Sequence, residues 1–144
     1  MGVEAASSPA AKALAEKAVG ILVFPGIVKG DFIVGGQSGE GALIKDGNTI
    51  AFYNSIAASY GLQAGLQKFG YALFFMTDSA LKWIDKSDGW EIGVGPSIVV
   101  VDIGAAASMT STTLQSDIYA FFFGQKGLMA GIGLQGTKIT RLEK

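Results

Sequence analysis

The chain has 144 residues, of which 49% are hydrophobic and 16% charged; this composition predicts one folded domain rather than a disordered segment. Histidine and cysteine are absent, which excludes histidine-dependent triads, thiol nucleophiles, disulfides and the usual zinc sites. Eleven basic residues against twelve acidic ones leave no positive surplus for a phosphate backbone, so we expect no nucleic-acid partner.

The first predicted element is a helix that begins at Ser8 and ends at Gly20. Ser8 suits the N-cap and Pro9 suits the first helical position. Alanine and leucine at positions 11, 14, 15 and 18 recur at helical spacing, and glycine is the usual residue after a helix end. We treat residues 1–144 as a single domain in which residues 1–7 are flexible.

Most of the remaining chain has the period of two that is typical of strands. Bulky side chains alternate mainly with glycine or polar residues in three segments, residues 60–67, 92–100 and 128–135. The dipeptide Asp46-Gly47 separates two further apolar segments and predicts a β-hairpin with a two-residue turn. The repeated glycine on one strand face indicates tight coiling of the sheet.

A second helix is predicted over residues 79–86, with Asp78 as its cap. Trp83 lies between Lys82 and Ile84, and Lys86 follows one turn later. An indole flanked by lysines is typical of a helix that faces a membrane surface. The alternative interpretation is that Trp83 belongs to the helix face that docks on the sheet.

Phenylalanine occupies three consecutive positions, 121–123. In a strand, consecutive side chains point to opposite faces, so both faces of this strand carry aromatic rings. Either a helix covers the outer face of a central strand, or an exposed aromatic ring meets a lipid, a ligand or a partner chain.

Together these elements predict an α+β fold that is mostly β. We expect a strongly curved, near-closed antiparallel sheet or barrel of about seven or eight strands, with two helices covering an end or an outer face.

Several patterns resemble chemical motifs but lack the context that the chemistry needs. Residues 131–136 spell G-x-G-x-x-G, yet a strand follows them where a dinucleotide site needs a helix. Residues 79–82 spell S-x-x-K without the other elements of penicillin-recognising enzymes. Carboxylate catalysis by Asp102 with Asp117 or Glu40 is a remaining alternative. We expect neither an enzyme nor a bound cofactor or metal.

As an ordered set, six segments of the chain resemble the SYLF domain family of lipid-binding domains. The similarity runs from about Ala11 to the C-terminus. The segments that carry it are residues 20–30 (GILVFPGIVKG), 32–41 (FIVGGQSGEG), 61–65 (GLQAG), 76–81 (MTDSAL), 89–93 (GWEIG) and 126–131 (KGLMAG).

This resemblance implies a lipid-binding function without catalytic residues. Eukaryotic members of the family recognise phosphoinositides at membranes. Bacterial members, which this chain resembles more, are commonly exported and often lipoproteins. The resemblance therefore implies an exported protein, periplasmic or associated with the outer membrane, whose signal segment is absent from this chain.

We therefore expect a non-enzymatic domain that binds anionic phospholipid or fatty acyl chains at a membrane surface. The alternative is a structural or interaction module of the bacterial envelope that binds a protein partner or forms a homo-oligomer. The candidate lipid-binding residues are Lys29, Lys82, Trp83, Lys86, Phe122 and Lys126.

Overall fold

The computed structural model describes residues 14–24, 38–57, 70–85, 88–101, 116–122 and 134–142. Within these ranges the chain forms eight strands and two helical segments. The strands are β1 (Gly20–Phe24), β2 (Ser38–Lys45), β3 (Asn48–Ile56), β4 (Tyr71–Phe75), β5 (Trp90–Glu91), β6 (Ile98–Val101), β7 (Ile118–Phe122) and β8 (Lys138–Leu142). The helical segments are α1 (residues 14–17) and α2 (Asp78–Leu81), which continues into the 3-10 turn η1 (Lys82–Asp85).

All eight strands belong to one sheet with the order β5-β8-β3-β2-β1-β4-β7-β6. Neighbouring strands are antiparallel except for β6 and β7, which run parallel. The predicted α+β, mostly β fold with a strongly curved sheet is therefore confirmed. The expected antiparallel arrangement is wrong for this one pair, since β6 and β7 run in the same direction.

The connection between β5 and β6 forces the sheet to curl. These strands are the two ends of the strand order, and only residues 92–97 join them. In a flat sheet, seven strand spacings would separate them by about 34 Å. The seven Cα–Cα steps from Glu91 to Ile98 span at most about 25 Å even when fully extended. Because the connection is too short for a flat sheet, the two edges must approach each other.

Side chains from distant strands meet inside the resulting half-barrel. The hydroxyl of Tyr71 on β4 donates to Oγ of Ser55 on β3 at 3.0 Å, although β1 and β2 lie between these strands. The rings of Phe75 on β4 and Trp90 on β5 have centroids 6.0 Å apart. These contacts identify the concave face of the sheet as the inside of the curl.

The concave core contains most of the large buried side chains of the described part. It joins alternate residues of β4 with residues of every other strand and with Leu81 and Ile84 of the α2–η1 segment. The α2–η1 segment thus packs against the concave face of the sheet. The fully buried members of this core with the largest side chains are Tyr53, Tyr71, Leu22, Leu73, Phe75, Ile84, Trp90, Ile92 and Ile118.

A second, smaller cluster lies on the convex face. Leu14 of α1 packs there against Phe74, Phe121 and neighbouring residues of β1, β4 and β7, and the rings of Phe74 and Phe121 meet edge to face. The interpretation of Phe121 as part of a strand covered by a helix is therefore confirmed. Phe123 lies outside the described residues.

The predicted hairpin is confirmed in its details. Asp46 and Gly47 both have positive φ, 53° and 80°, as a type I′ turn requires. Lys45 pairs with Asn48 across the turn, and the register shifts after Leu43. Ile50 is the extra residue of this bulge, since Leu43 pairs with Ala51 and Ile44 with Thr49.

Two other strand predictions are wrong for part of their length, although residues 98–100 of the segment 92–100 lie in β6 as predicted. Residues 92–96 form turns and bends rather than strand, because Gly93 and Gly95 have left-handed φ values of 112° and 83°. Residues 134–136 also form a turn. The predicted strand over residues 60–67 and the remainder of 128–135 lie outside the described ranges.

The first helix differs from its prediction at the C-terminal end. The helix ends at residue 17, and Gly20 is the first residue of β1. Gly20 is buried against Leu81, and a β-carbon there would lie 3.1 Å from a leucine methyl group. Its small size therefore serves the packing of α2 on the sheet rather than a helix end.

Burial makes stability sensitive to alkaline pH through Tyr71. Loss of solvation raises the pKa of Tyr71 above its ordinary value. In the unfolded chain the phenol ionises from about pH 10, whereas in the folded chain it stays protonated. Its contribution to stability is therefore complete below about pH 10 and is lost progressively above it.

We predict that Tyr71→Phe lowers the free energy of unfolding by about 1 kcal/mol at pH 7, because one hydrogen bond to Ser55 is lost. Above about pH 10 this difference should shrink, since only the wild type loses stability through ionisation of residue 71. Urea unfolding of both proteins from pH 7 to pH 11 measures the difference. A difference that does not change with pH would contradict the prediction.

Candidate functional site

The α2–η1 segment begins with a side-chain cap at Thr77. Its Oγ1 accepts a hydrogen bond from the backbone N–H of Ala80 at 3.1 Å, and its backbone is extended. The expected cap at Asp78 is thus wrong by one residue, because Asp78 already lies in the first turn. The α-helical part ends at Leu81, and the predicted helix continues only as the 3-10 turn η1 to Asp85.

Asp85 ties the end of η1 to the sheet. Its Oδ1 accepts a hydrogen bond from the hydroxyl of Tyr53 at 2.7 Å and another from Nη1 of Arg141 at 3.1 Å. Burial, together with the hydrogen bond and negative charge of Asp85, raises the pKa of Tyr53 above its ordinary value. Tyr53 and Arg141 are paired on β3 and β8, so three elements converge at this carboxylate.

Trp83 is partly buried against the concave core and also contacts the β5–β6 connection. A β-carbon at Gly95 would lie 2.6 Å from Cζ2 of the indole, so the ring contacts the bare backbone at this position. Gly95 also has a φ of 83°, which side chains rarely tolerate. One side of the indole is therefore docked, as the alternative interpretation of the sequence expected.

The β5–β6 connection holds Val94 out toward solvent. The indole Nε1 of Trp90 donates to the carbonyl of Val94 at 2.8 Å, and the N–H of Val94 donates to the carbonyl of Glu91 at 3.1 Å. With its backbone fixed in this way, Val94 has an exposed fraction of 51%. We call Lys82, Trp83, Val94 and Gly95 the Trp83 surface.

Positive charge is sparse around the Trp83 surface within the described ranges. Lys82 is exposed, and the exposed Lys138 is paired with Glu91 across β8 and β5. The segment of Lys82 also carries Asp78 and Asp85, and Asp88 and Glu91 follow. Arg141 forms an ion pair with Asp85. The electrostatic attraction of this region for anionic groups is therefore weak, and its apolar side chains are its distinctive feature.

Of the six predicted site residues, the structure brings Lys82 and Trp83 together on η1. The backbone of Phe122 lies in β7 and pairs with Tyr71, while its side chain is outside the described part. Lys29, Lys86 and Lys126 also lie outside it, so their assignment as lipid-binding residues stays a prediction.

Sequence reasoning missed Val94 and Gly95 as parts of this surface. It assigned residues 92–100 to one strand because bulky residues alternate with glycine there. The better signal was the sequence Gly93-Val94-Gly95-Pro96, in which two glycines and a proline within four residues favour a turn.

The carboxylates considered for catalysis show no joint site in the described residues. Oδ2 of Asp117 accepts hydrogen bonds from the backbone N–H and the hydroxyl of Ser97 at 3.1 and 3.2 Å, which aligns β6 with β7. Glu40 is exposed on β2, and Asp102 lies outside the described ranges. Within those ranges, no three potential ligands come together as a metal site, and no helix is long and apolar enough to cross a membrane.

Residues 56–144 match the model of one protein family, Ysc84, described as a Las17-binding protein actin regulator. The chain belongs to the Ysc84 (SYLF) family. The resemblance noted from the sequence is thereby confirmed. A comparison with individually curated proteins found no match. The matched range contains β4 to β8, α2 and η1, and so includes the whole Trp83 surface.

The contact between Trp83 and Gly95 can be tested with two glycines of nearly equal backbone conformation. Gly95 and Gly136 have φ values of 83° and 84°, but a β-carbon at Gly136 would meet nothing within 4 Å. We predict that Gly136→Ala lowers the free energy of unfolding by on the order of 1 kcal/mol, because a β-carbon is unfavourable at this positive φ. Gly95→Ala should cost about 1–3 kcal/mol more, because the indole must move.

Thermal unfolding gives the stabilities, and acrylamide quenching of tryptophan fluorescence reports exposure of the indole. Gly95→Ala should increase quenching and shift emission to longer wavelength, while Gly136→Ala should leave both unchanged. Equal stabilities and equal quenching in the two variants would show that Trp83 does not pack on Gly95.

Proposed function

We propose that this Ysc84-family chain is a non-enzymatic lipid-binding domain that contacts anionic phospholipid or acyl chains at a membrane surface. The contact is made by the Trp83 surface. The observation that carries the proposal is Val94, an apolar side chain with 51% exposure, whose backbone is fixed by the hydrogen bonds of the same turn that contacts the Trp83 indole at Gly95.

Apolar burial supplies most of the binding free energy in this proposal. Full burial of an exposed valine side chain is worth about 1.5–3 kcal/mol, so Val94, with 51% exposure, contributes roughly half of that, and the exposed part of the Trp83 indole adds to it. One lysine near an anionic surface contributes about 1 kcal/mol. Since Lys82 shares its segment with two aspartates, its charge makes a secondary contribution. An indole with one side against the protein is suited to the interface, where one part of the ring stays apolar and the other meets water.

The fixed backbone of the β5–β6 turn favours insertion of Val94 into an apolar layer. The carbonyl of Ile92 accepts from the N–H of Gly136 at 2.8 Å, and the carbonyl of Val94 accepts from Trp90. Because the turn is held on both sides, little conformational entropy is lost when Val94 enters an apolar layer.

Binding to vesicles of phosphatidylcholine alone, and of phosphatidylcholine with phosphatidylglycerol, tests the proposal by co-sedimentation. We predict that Val94→Asp weakens binding to both vesicle types by tenfold or more, on the order of 1.5–3 kcal/mol. Lys82→Gln should weaken binding by about fivefold and only to the anionic vesicles.

The matched control is Ile50→Asp. Ile50 is an apolar residue with 53% exposure at the bulge of β3, outside the Trp83 surface, and its substitution should leave vesicle binding unchanged. Absence of binding to both vesicle types would contradict the lipid-binding proposal. Equal losses in Val94→Asp and Ile50→Asp would contradict the assignment to the Trp83 surface.

A protein-binding module is the second candidate function. It is favoured by the family description, which names a Las17-binding protein, and by two exposed isoleucines on β3, Ile50 and Ile56. Under this alternative, purified Las17 should bind the chain in the absence of lipid. Ile56→Asp should then weaken that binding while Val94→Asp leaves it unchanged.

A further inference from the structure

The sequence contains the dipeptide Asp-Gly twice, at Asp46-Gly47 and at Asp88-Gly89. Aspartate followed by glycine is prone to isomerise, because the backbone nitrogen of a glycine can approach the aspartate Cγ without obstruction by a β-carbon. The two glycines have nearly equal φ values, 80° at Gly47 and 82° at Gly89. The dipeptides are therefore matched in chemistry and in glycine conformation, and they differ in their surroundings.

The first dipeptide lies at the exposed tip of the β2–β3 hairpin. Asp46 and Gly47 are both exposed, and within the described part of the chain a β-carbon at Gly47 would meet nothing within 4 Å. In a type I′ turn the hydrogen bonds of the ladder belong to the flanking residues, here Lys45 and Asn48. Rotation of the peptide group between Asp46 and Gly47 therefore breaks no ladder hydrogen bond. It gives up a long one, 3.4 Å from Nδ2 of Asn48 to the Asp46 carbonyl.

The second dipeptide is held against the sheet at its glycine. Asp88 is exposed, but Gly89 is partly buried. A β-carbon at Gly89 would lie 2.9 Å from the carbonyl oxygen of Ile139 and 3.0 Å from Oγ1 of Thr140. The next residue of the chain, Trp90, pairs with Ile139. Rotation of the peptide group between Asp88 and Gly89 would therefore disturb the pairing of β5 with β8.

We propose that Asp46 is a modification site, at which the folded chain converts aspartate to isoaspartate through a cyclic succinimide. The backbone nitrogen of Gly47 attacks Cγ of Asp46 and forms an N–Cγ bond, while the carboxyl hydroxyl leaves as water with the amide proton. Water then adds to one of the two carbonyl groups of the ring. Opening at the former backbone carbonyl gives isoaspartate, in which the main chain runs through Cβ and Cγ and the α-carboxylate is free. Opening at Cγ restores aspartate.

Isoaspartate at position 46 changes the hairpin tip in two ways. The main chain gains one atom, so the turn no longer joins Lys45 and Asn48 in their present register, which the length of the turn determines. The free α-carboxylate is the group that isoaspartyl methyltransferases methylate with S-adenosylmethionine, and the exposed turn presents it to such an enzyme. The proposal is independent of the lipid-binding function, since Asp46 and Gly47 lie outside the Trp83 surface.

Incubation of the folded chain in water labelled with heavy oxygen tests the proposal, since each succinimide that reopens takes up one labelled atom. Digestion with trypsin in ordinary water places the two dipeptides in different peptides, which end at Lys68 and Lys126. Mass spectrometry then measures the label and the isoaspartate in each peptide. We predict that both accumulate roughly tenfold faster or more at Asp46 than at Asp88, which corresponds to a barrier lower by about 1.4 kcal/mol. The incubated chain should also accept methyl groups from an isoaspartyl methyltransferase.

The chain unfolded in guanidinium chloride is the control for the surroundings, because both dipeptides are retained and their rates should become similar. Asp46→Gly is the control for the site. It leaves a Gly-Gly pair that suits the turn, circular dichroism verifies its fold, and it should lose most of the methylation. The proposal would be overturned by an absence of label and isoaspartate at Asp46 or by equal rates at Asp46 and Asp88 in the folded chain. A rate ratio that unfolding does not change, or methylation of Asp46→Gly at the wild-type level, would also overturn it.

Discussion

The length of the β5–β6 connection is the constraint on which the rest of this structure depends. Residues 92–97 join the first and last strands of an eight-stranded order, and they are too few to cross a flat sheet. Curling the sheet is the only way to satisfy both the strand order and the chain. The contact of Phe75 with Trp90 and the hydrogen bond of Tyr71 to Ser55 follow from that curl.

The same connection forms the candidate site. The indole of Trp83 packs on the backbone at Gly95. The backbone hydrogen bonds of Val94 fix the turn with the Val94 side chain exposed. The fold and the proposed membrane contact therefore rest on one short segment, whose conformation depends on glycines with positive φ. A substitution that stiffens or enlarges this segment would disturb both the core and the surface.

Short sequence patterns were sufficient to predict the structure where it depends on neighbouring residues only. Asp46-Gly47 determines its hairpin because both residues accept positive φ, and three consecutive phenylalanines indicated a strand apolar on both faces. The alternation of bulky residues with glycine wrongly predicted a strand for residues 92–96. Glycine occurs both on a strand face without side chains and in a left-handed turn. The alternation alone could not separate these two uses, although Pro96 next to the two glycines favours the turn.

Contacts between distant residues could not be predicted from local patterns. Asp85 meets Tyr53 across 32 positions and Arg141 across 56, and nothing in the spacing of these residues indicates the pairing. The parallel arrangement of β6 and β7 and the hydrogen bonds between Ser97 and Asp117 likewise have no local signal in the sequence. Of the candidate site, the sequence predicted Lys82 and Trp83 but not the turn that completes the surface around them.

The most direct test of the curled sheet is a nuclear Overhauser effect between the ring protons of Phe75 and the indole of Trp90. These residues lie on β4 and β5, which are five strand positions apart in the sheet order. The half-barrel predicts a clear cross-peak, because the ring centroids are 6.0 Å apart. Absence of that cross-peak, with both rings assigned and ordered, would contradict the curl, since a flat sheet would separate these strands by about 24 Å.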